Sequence, residues 1–147
     1  MSQSPNPPGY ERVLADHHAL KDLLSRIDQA LTEKTSSIAE VSDLLAKLGD
    51  RLVRHFSMEE EGGYFSEALL QAPRLISRAN ELMAQHPKMC TCVRDLVPGV
   101  GEVGPKKDWW QETRQRFDAF REELLRHEQG EDRLLQEAYN RDIGATD

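Results

Sequence analysis

The sequence predicts an all-α fold, an up-down antiparallel four-helix bundle, and three observations carry that expectation. Most of the chain is rich in Leu, Ala, Glu and Arg, with few β-branched runs and no alternating period-2 pattern. Four segments carry apolar residues alternately three and four apart, the spacing of a helix face turned to a core. The connections between them are short, which makes long amphipathic helices antiparallel neighbours.

Residues 1–9, rich in Pro, Ser and Asn, read as a disordered lead-in, residues 10–140 as the bundle and 141–147 as a tail. The first helix is expected from Tyr10 to Leu31, with the stripe Tyr10, Val13, His17, Leu20, Leu24, Ile27 and Leu31. The second starts after Ser37, whose hydroxyl caps while Glu40 reaches back as the other half of a capping box. It runs past Glu60, weakening at Gly62-Gly63, and its stripe is Ile38, Val41, Leu45, Leu48, Leu52, His55 and Glu59. The third begins near Pro73, a good first-turn residue, and shows Leu75, Ala79, Leu82, His86, Met89, Val93 and Leu96. A loop follows from Val97 to Lys107, marked by Pro98, Gly99, Gly101, Gly104 and Pro105. The fourth helix starts at Asp108, with Gln111 in capping-box position, and runs to about Tyr139. Its stripe is Trp110, Thr113, Phe117, Phe120, Leu124, His127, Glu131, Leu134 and Ala138.

Composition bounds the function. A chain of 147 residues with 38% hydrophobic and 31% charged residues supports one modest core in a well-solvated shell, hence one domain. The net charge of −7 argues against nucleic acid and against an anionic membrane surface as partners. No apolar run approaches the roughly 20 residues that span a bilayer. The amino terminus lacks the basic flank and apolar stretch of a signal peptide. Cys90 and Cys92 are separated by one residue and cannot staple distant parts of the fold. A soluble protein of the reducing cytoplasm is expected.

Each helix inserts one histidine into its apolar stripe, and helices two and four add a glutamate four residues later. His18 is the contrast, since it shares its row with Lys21 and Ser25 and belongs at the bundle edge. Height agrees with phase. His17 lies about 21 Å before Leu31, and His55 about 27 Å after Ser37, so a short turn brings them level. His127 and Glu131 fall in the same half of the bundle, and His86 joins them if the loop from Val97 to Lys107 climbs along it.

A buried carboxylate without a partner costs several kcal/mol, which one histidine rarely offsets. Two carboxylates among four imidazoles therefore call for a common cation. The donor set suits iron, manganese, zinc or copper, and the lack of a sulfur set argues against a cluster or thiolate zinc. Six side chains exceed the needs of one tetrahedral ion, and two carboxylates facing across a bundle are the usual bridges of a two-metal centre.

The ordered set His17, His55-x-x-x-Glu59, His86 and His127-x-x-x-Glu131 resembles the hemerythrin-like (HHE) cation-binding domain. Local wording is similar too: Asp16-His17-His18-Ala19-Leu20, His55-Phe56-Ser57-Met58-Glu59-Glu60, and His127 to Asp132 followed by Arg133-Leu134-Leu135. The resemblance implies a hemerythrin-like bundle around two iron ions, an oxo- or hydroxo-bridged di-iron centre. Glu59 and Glu131 would bridge, and His17, His55, His86 and His127 would be terminal ligands. It further implies binding of O2, NO or peroxide, or sensing of iron or oxygen, where a sensor needs a signalling protein partner. The third helix departs from the oxygen carriers: His86 is followed by Pro87 and Cys90 in place of a second histidine, which leaves a coordination position open. That departure is closer to the family's iron-sensing branch and its iron–sulfur repair proteins, so a di-iron enzyme of oxidative or nitrosative stress is the alternative. A metal-free helical interaction module is a third.

Other features have plainer readings. Asp132 offers a competing spacing after His127, but the phase of Leu124 and Leu134 selects Glu131. The stripe likewise selects Glu59 over Glu60 and Glu61. Cys90 reads as a small buried hydrophobe. Gly130 either leaves room beside the metals or serves helix packing, and Trp109, Trp110, Phe117 and Phe120 fill the other half of the bundle.

Overall fold

The computed structural model describes residues 10–61, 65–97 and 109–141. The expected lead-in, Gly62-Gly63, most of the loop after Val97, the Asp108 cap and the tail beyond 141 lie outside the described residues. Within them the chain forms α1 (Tyr10–Glu33), α2 (Ile38–Glu61), the short α3 (Ser66–Gln71), a 3-10 turn (Pro73–Leu75), α4 (Ile76–Leu96) and α5 (Trp109–Gln136). A π-helical turn, Glu137–Arg141, extends α5. The four expected helices are thus α1, α2, α4 and α5, and no strand occurs among the described residues.

Local chemistry sets the ends. Lys34 takes a φ of 56°, the left-handed conformation that stops a helix, and its N–H donates to the Ala30 carbonyl at 3.0 Å. The Glu40 N–H donates to Ser37 Oγ at 3.1 Å, which forms the expected cap of α2. Pro73 opens the turn that leads into α4, and α4 then continues through Pro87. α3 was not expected; it covers a stretch too short to show helical periodicity, and only Ala68 of it is buried.

Cross-helix contacts fix the directions. Arg51 late in α2 donates to Asp16 early in α1 at 3.1 Å. Arg114 early in α5 donates to Asp28 late in α1 at 2.6 Å. Arg78 early in α4 pairs with Glu137 just past α5, and His86 in α4 meets Glu60 at the end of α2. Neighbours therefore run antiparallel, in the order α1, α2, α4, α5 and back to α1.

The core has two apolar parts. The larger packs Leu20, Leu24, Ile27, Leu45, Leu48, Leu52, Met89, Val93, Phe117, Phe120 and Leu124, among others, where α1 ends and α5 begins. The smaller joins Val13, Phe65, Ala68, Leu75, Ala79, Leu134, Ala138 and Tyr139 at the end where α1 begins. Each fully buried leucine contributes about 1.5–3 kcal/mol, so these parts hold the bundle together. Phe117 and Phe120 are core as expected, whereas Trp109 and Trp110 are half-buried against its rim. Between the two apolar parts the stripes place a layer of polar side chains.

Candidate metal centre

The layer occupies one height on four helices. α1 contributes His17 between Val13 and Leu20, and α2 contributes His55 and Glu59 beyond Leu52. α4 contributes His86, about 15 Å along the helix from Ile76, and α5 contributes His127 and Glu131 between Leu124 and Leu134. No climbing of the 97–107 loop is needed to level His86, because α4 starts at the same end of the bundle as α1. All six expected residues are brought together. His55, Glu59, His86, His127 and Glu131 are buried and His17 is half-buried, while His18, Glu60, Glu61 and Asp132 are exposed.

Two groups of donor atoms form within this layer. Glu59, His86, His127 and Glu131 lie with one donor atom each within 4.8 Å of one another, as do His17, His55 and Glu59. Glu59 is common to both. One of its oxygens is 3.1 Å from His55 Nε2 and the other is 3.3 Å from His86 Nε2. Glu131 belongs to the first group alone, 2.9 Å from His127 Nε2 and 3.6 Å from His86 Nε2. Glu59 is thus the carboxylate common to both donor groups.

The outer sides of three rings are already engaged. His55 Nδ1 donates to Asp16 Oδ2 at 2.9 Å, and Asp16 is held in turn by Arg51. His86 Nδ1 donates to Glu60 Oε2 at 2.6 Å, and His127 Nδ1 to Gln85 Oε1 at 2.9 Å. Carboxylate and amide oxygens only accept, so the ring N–H must be on Nδ1. In the neutral ring this leaves a bare lone pair on each Nε2, pointing into the layer. It is the arrangement that orients metal-bound histidines.

The inner atoms then have few proton partners, although His127 Nε2 lies 2.9 Å from Glu131 Oε2 and can accept from its protonated carboxyl. His86 Nε2 and His127 Nε2 stand 3.1 Å apart, and neither neutral ring has a second N–H to place between them. Both Glu59 oxygens and His17 Nε2 are buried without a hydrogen bond, despite their short contacts. Buried polar atoms are seldom left so. Ligands at right angles on metal–nitrogen bonds of about 2.1 Å sit about 3 Å apart, close to the spacings seen. The residues fit a nitrogen- and oxygen-coordinated cation.

Electrostatics point the same way. Burial, reinforced by His55, lowers His17 to about 4, and burial with His86 beside it lowers His127 to about 4. Both rings are thus neutral and free to donate a lone pair near neutral pH. Burial, with Glu59 alongside, raises Glu131 well above the usual carboxylate range. Burial also pushes Glu59 up, but its contacts with His55 and His86 outweigh this and hold it below that range.

Sequence periodicity missed the outer partners. Asp16 is more deeply buried than its neighbour His17, yet it lies off the apolar stripe of α1. Glu60 and Gln85 are exposed residues whose side chains reach over ring edges. Only the pairing of Asp16 with His17 in the local motif hinted at any of them. Cys90 and Cys92 are free, half-buried, and packed against the larger apolar part. A Cβ on Gly130 would meet Leu82 Cδ2 at 3.0 Å, so this glycine serves the close approach of α5 to α4. A groove of about 630 Å3 lies between α1 and α5, lined by Lys21, Leu24, Arg121, Leu125 and Glu128 among others.

Comparison with known families places the chain. The model of the hemerythrin HHE cation binding domain matches residues 8–98, more than half of the chain. The match covers α1, α2 and α4, and ends before α5; His127 and Glu131 join the layer through the structure. Searches of curated proteins and of solved structures gave no significant match.

Proposed function

The chain belongs to the hemerythrin HHE cation-binding family, and on that premise we propose that it is a non-haem di-iron protein of the cytoplasm. It binds O2, NO or peroxide, or responds to iron or oxygen supply through a partner protein. The observation that supports this reading best is the pair of Nε2 atoms, His86 and His127, 3.1 Å apart beside a carboxylate that also serves the second donor group.

Two iron ions would supply redox-active positions with room for a small ligand. His17, His55, His86 and His127 would hold them through nitrogen, and Glu59 and Glu131 would offset their charge. Asp16, Glu60 and Gln85 accept from Nδ1, which leaves Nε2 of each neutral ring to an ion. Burial lowers the His55 pKa, but Glu59 and Asp16 outweigh this and raise it, so this ring gives up a proton to bind one. The apolar parts above and below exclude water from the layer. Among the described residues no helix is long and apolar enough to cross a membrane.

The test is the iron content of protein purified from iron-supplemented cells, with its near-ultraviolet spectrum in air. About two irons per chain and a charge-transfer band are expected. Substoichiometric metal of every kind, with no such band, overturns the reading.

A further inference from the structure

The two donor groups are unequal, and the shortfall has a candidate beside it. One group has two imidazoles and two carboxylates; the other, His17, His55 and Glu59, has two imidazoles and one carboxylate. Glu128 lies on α5 immediately after His127 and one turn before Glu131. Its side chain is 15% exposed, and its Oε2 is 3.2 Å from His17 Nε2.

The atom that Glu128 meets decides the matter. The partners that only orient rings, Asp16, Glu60 and Gln85, all bind Nδ1. Glu59 and Glu131, the interior carboxylates, approach Nε2 of His55 and His127 at 3.1 and 2.9 Å. Glu128 approaches Nε2 of His17 at a similar distance. That nitrogen is buried and has no hydrogen bond, so the contact is no ordinary ring-orienting bond. Among the described residues no lysine or arginine pairs with Glu128, although α1 presents Lys21 and α5 presents Arg121 along the same groove.

Resting on the di-metal reading above, we propose that Glu128 is a metal ligand, the second carboxylate of the His17/His55/Glu59 side. The family's pattern, as carried by this sequence, places no ligand at this position. Glu128 stands at the edge of that donor group, so ligation asks for a rotation of its side chain. The adjoining groove, lined by Glu128 itself, has room for that movement. α5 would then hold one ion through His127 and Glu131 and reach the other through Glu128, giving each ion two imidazoles and two carboxylates.

The test uses Co2+, whose visible spectrum reports coordination number, with equilibrium dialysis of the full chain. Wild type is expected to bind two Co2+ per chain. Glu128→Gln is expected to keep one site unchanged and to weaken the other by about 100-fold or more, because even an outer partner of a ligand is worth about 10- to 100-fold. The spectrum of the weakened site should change with it. Glu128→Asp, which keeps the charge but shortens the reach, should not restore the wild-type spectrum. Two ions bound by Glu128→Gln with wild-type affinity and spectrum overturn the proposal and leave the di-metal reading standing. Failure of wild type itself to bind two ions overturns both. Should the variants lose helical circular dichroism, a crystal structure of Co2+-loaded wild type decides. A Glu128 oxygen at about 2.2 Å from an ion supports the proposal, and one beyond contact overturns it.

Discussion

On the α4–α5 side of the polar layer, Glu59, His86, His127 and Glu131 are all buried, and both rings are fixed through Nδ1 by Glu60 and Gln85. On the α1 side, His17, His55 and Glu59 meet, and only His55 has its outer nitrogen fixed, by Asp16. His17 is half-buried and stacked on His55 at 4.7 Å between ring centres. Preorganised donors lose little freedom on binding, while adjustable ones must be ordered by the ion. The comparison teaches that two sites sharing one carboxylate need not be equally tight or equally accessible. On the di-metal reading, the ion on the α4–α5 side, where both rings are already fixed, should be held the tighter.

The sharpest way to break this comparison is to remove what the sides share. Glu59→Ala should weaken both ions by about 100-fold or more, seen as loss of both in metal titration. Retention of one ion at wild-type affinity would show that the sides are independent. A smaller effect separates them. Asp16→Ala frees His55 Nδ1 and should weaken the α1-side ion by about 10- to 100-fold while sparing the other. Equal weakening of both would mean that Asp16 acts through the packing of the bundle.

The smallest effect is in pH. Burial raises Glu128 to about 7 and Glu131 well above its usual range. The metal-free folded chain therefore holds protons that the unfolded chain has released, and these two groups lower its stability as pH rises from about 4.5 through 7. His17 and His127, at about 4, act in the opposite sense. Their folded values lie below the unfolded 6.5, so their contribution is present above 6.5 and lost as pH falls towards 4. Between pH 6.5 and 8.5 the carboxylates dominate. Bound ions expel their protons, so the gap in Tm between metal-loaded and metal-free protein should widen by a few °C across that range. A gap that narrows would assign the released protons to other groups.

Much of this was legible before any coordinates, because helical phase registers inward positions. The seven stripe positions of α2 show the rule: Val41, Leu45, Leu48, Leu52, His55 and Glu59 are buried, and only Ile38, the first residue of the helix, is not. The same phase separates Glu59 from Glu60 and Glu131 from Asp132. What phase does not register is a side chain that starts off the stripe and reaches in. Asp16, Gln85, Glu60 and Glu128 all do this, and each is indistinguishable by spacing from a solvated acid or amide. α3 was missed for a related reason, since six residues hold less than two turns.

The polar layer also divides the hydrophobic core, and that has a consequence for how the protein opens. Among the described residues the larger and smaller clusters share no member, although Phe56 of the larger one stacks on His86 at 3.8 Å between ring centres. Without ions, the end built from Val13, α3, Ala79 and Leu134 can exchange its amides while the other end stays closed, as separate cooperative units do. Ions held from α1, α2, α4 and α5 at once would rivet the two units together. Metal occupancy would then be written into the mechanical unity of the chain, where a protease or a partner protein could read it without touching the metal.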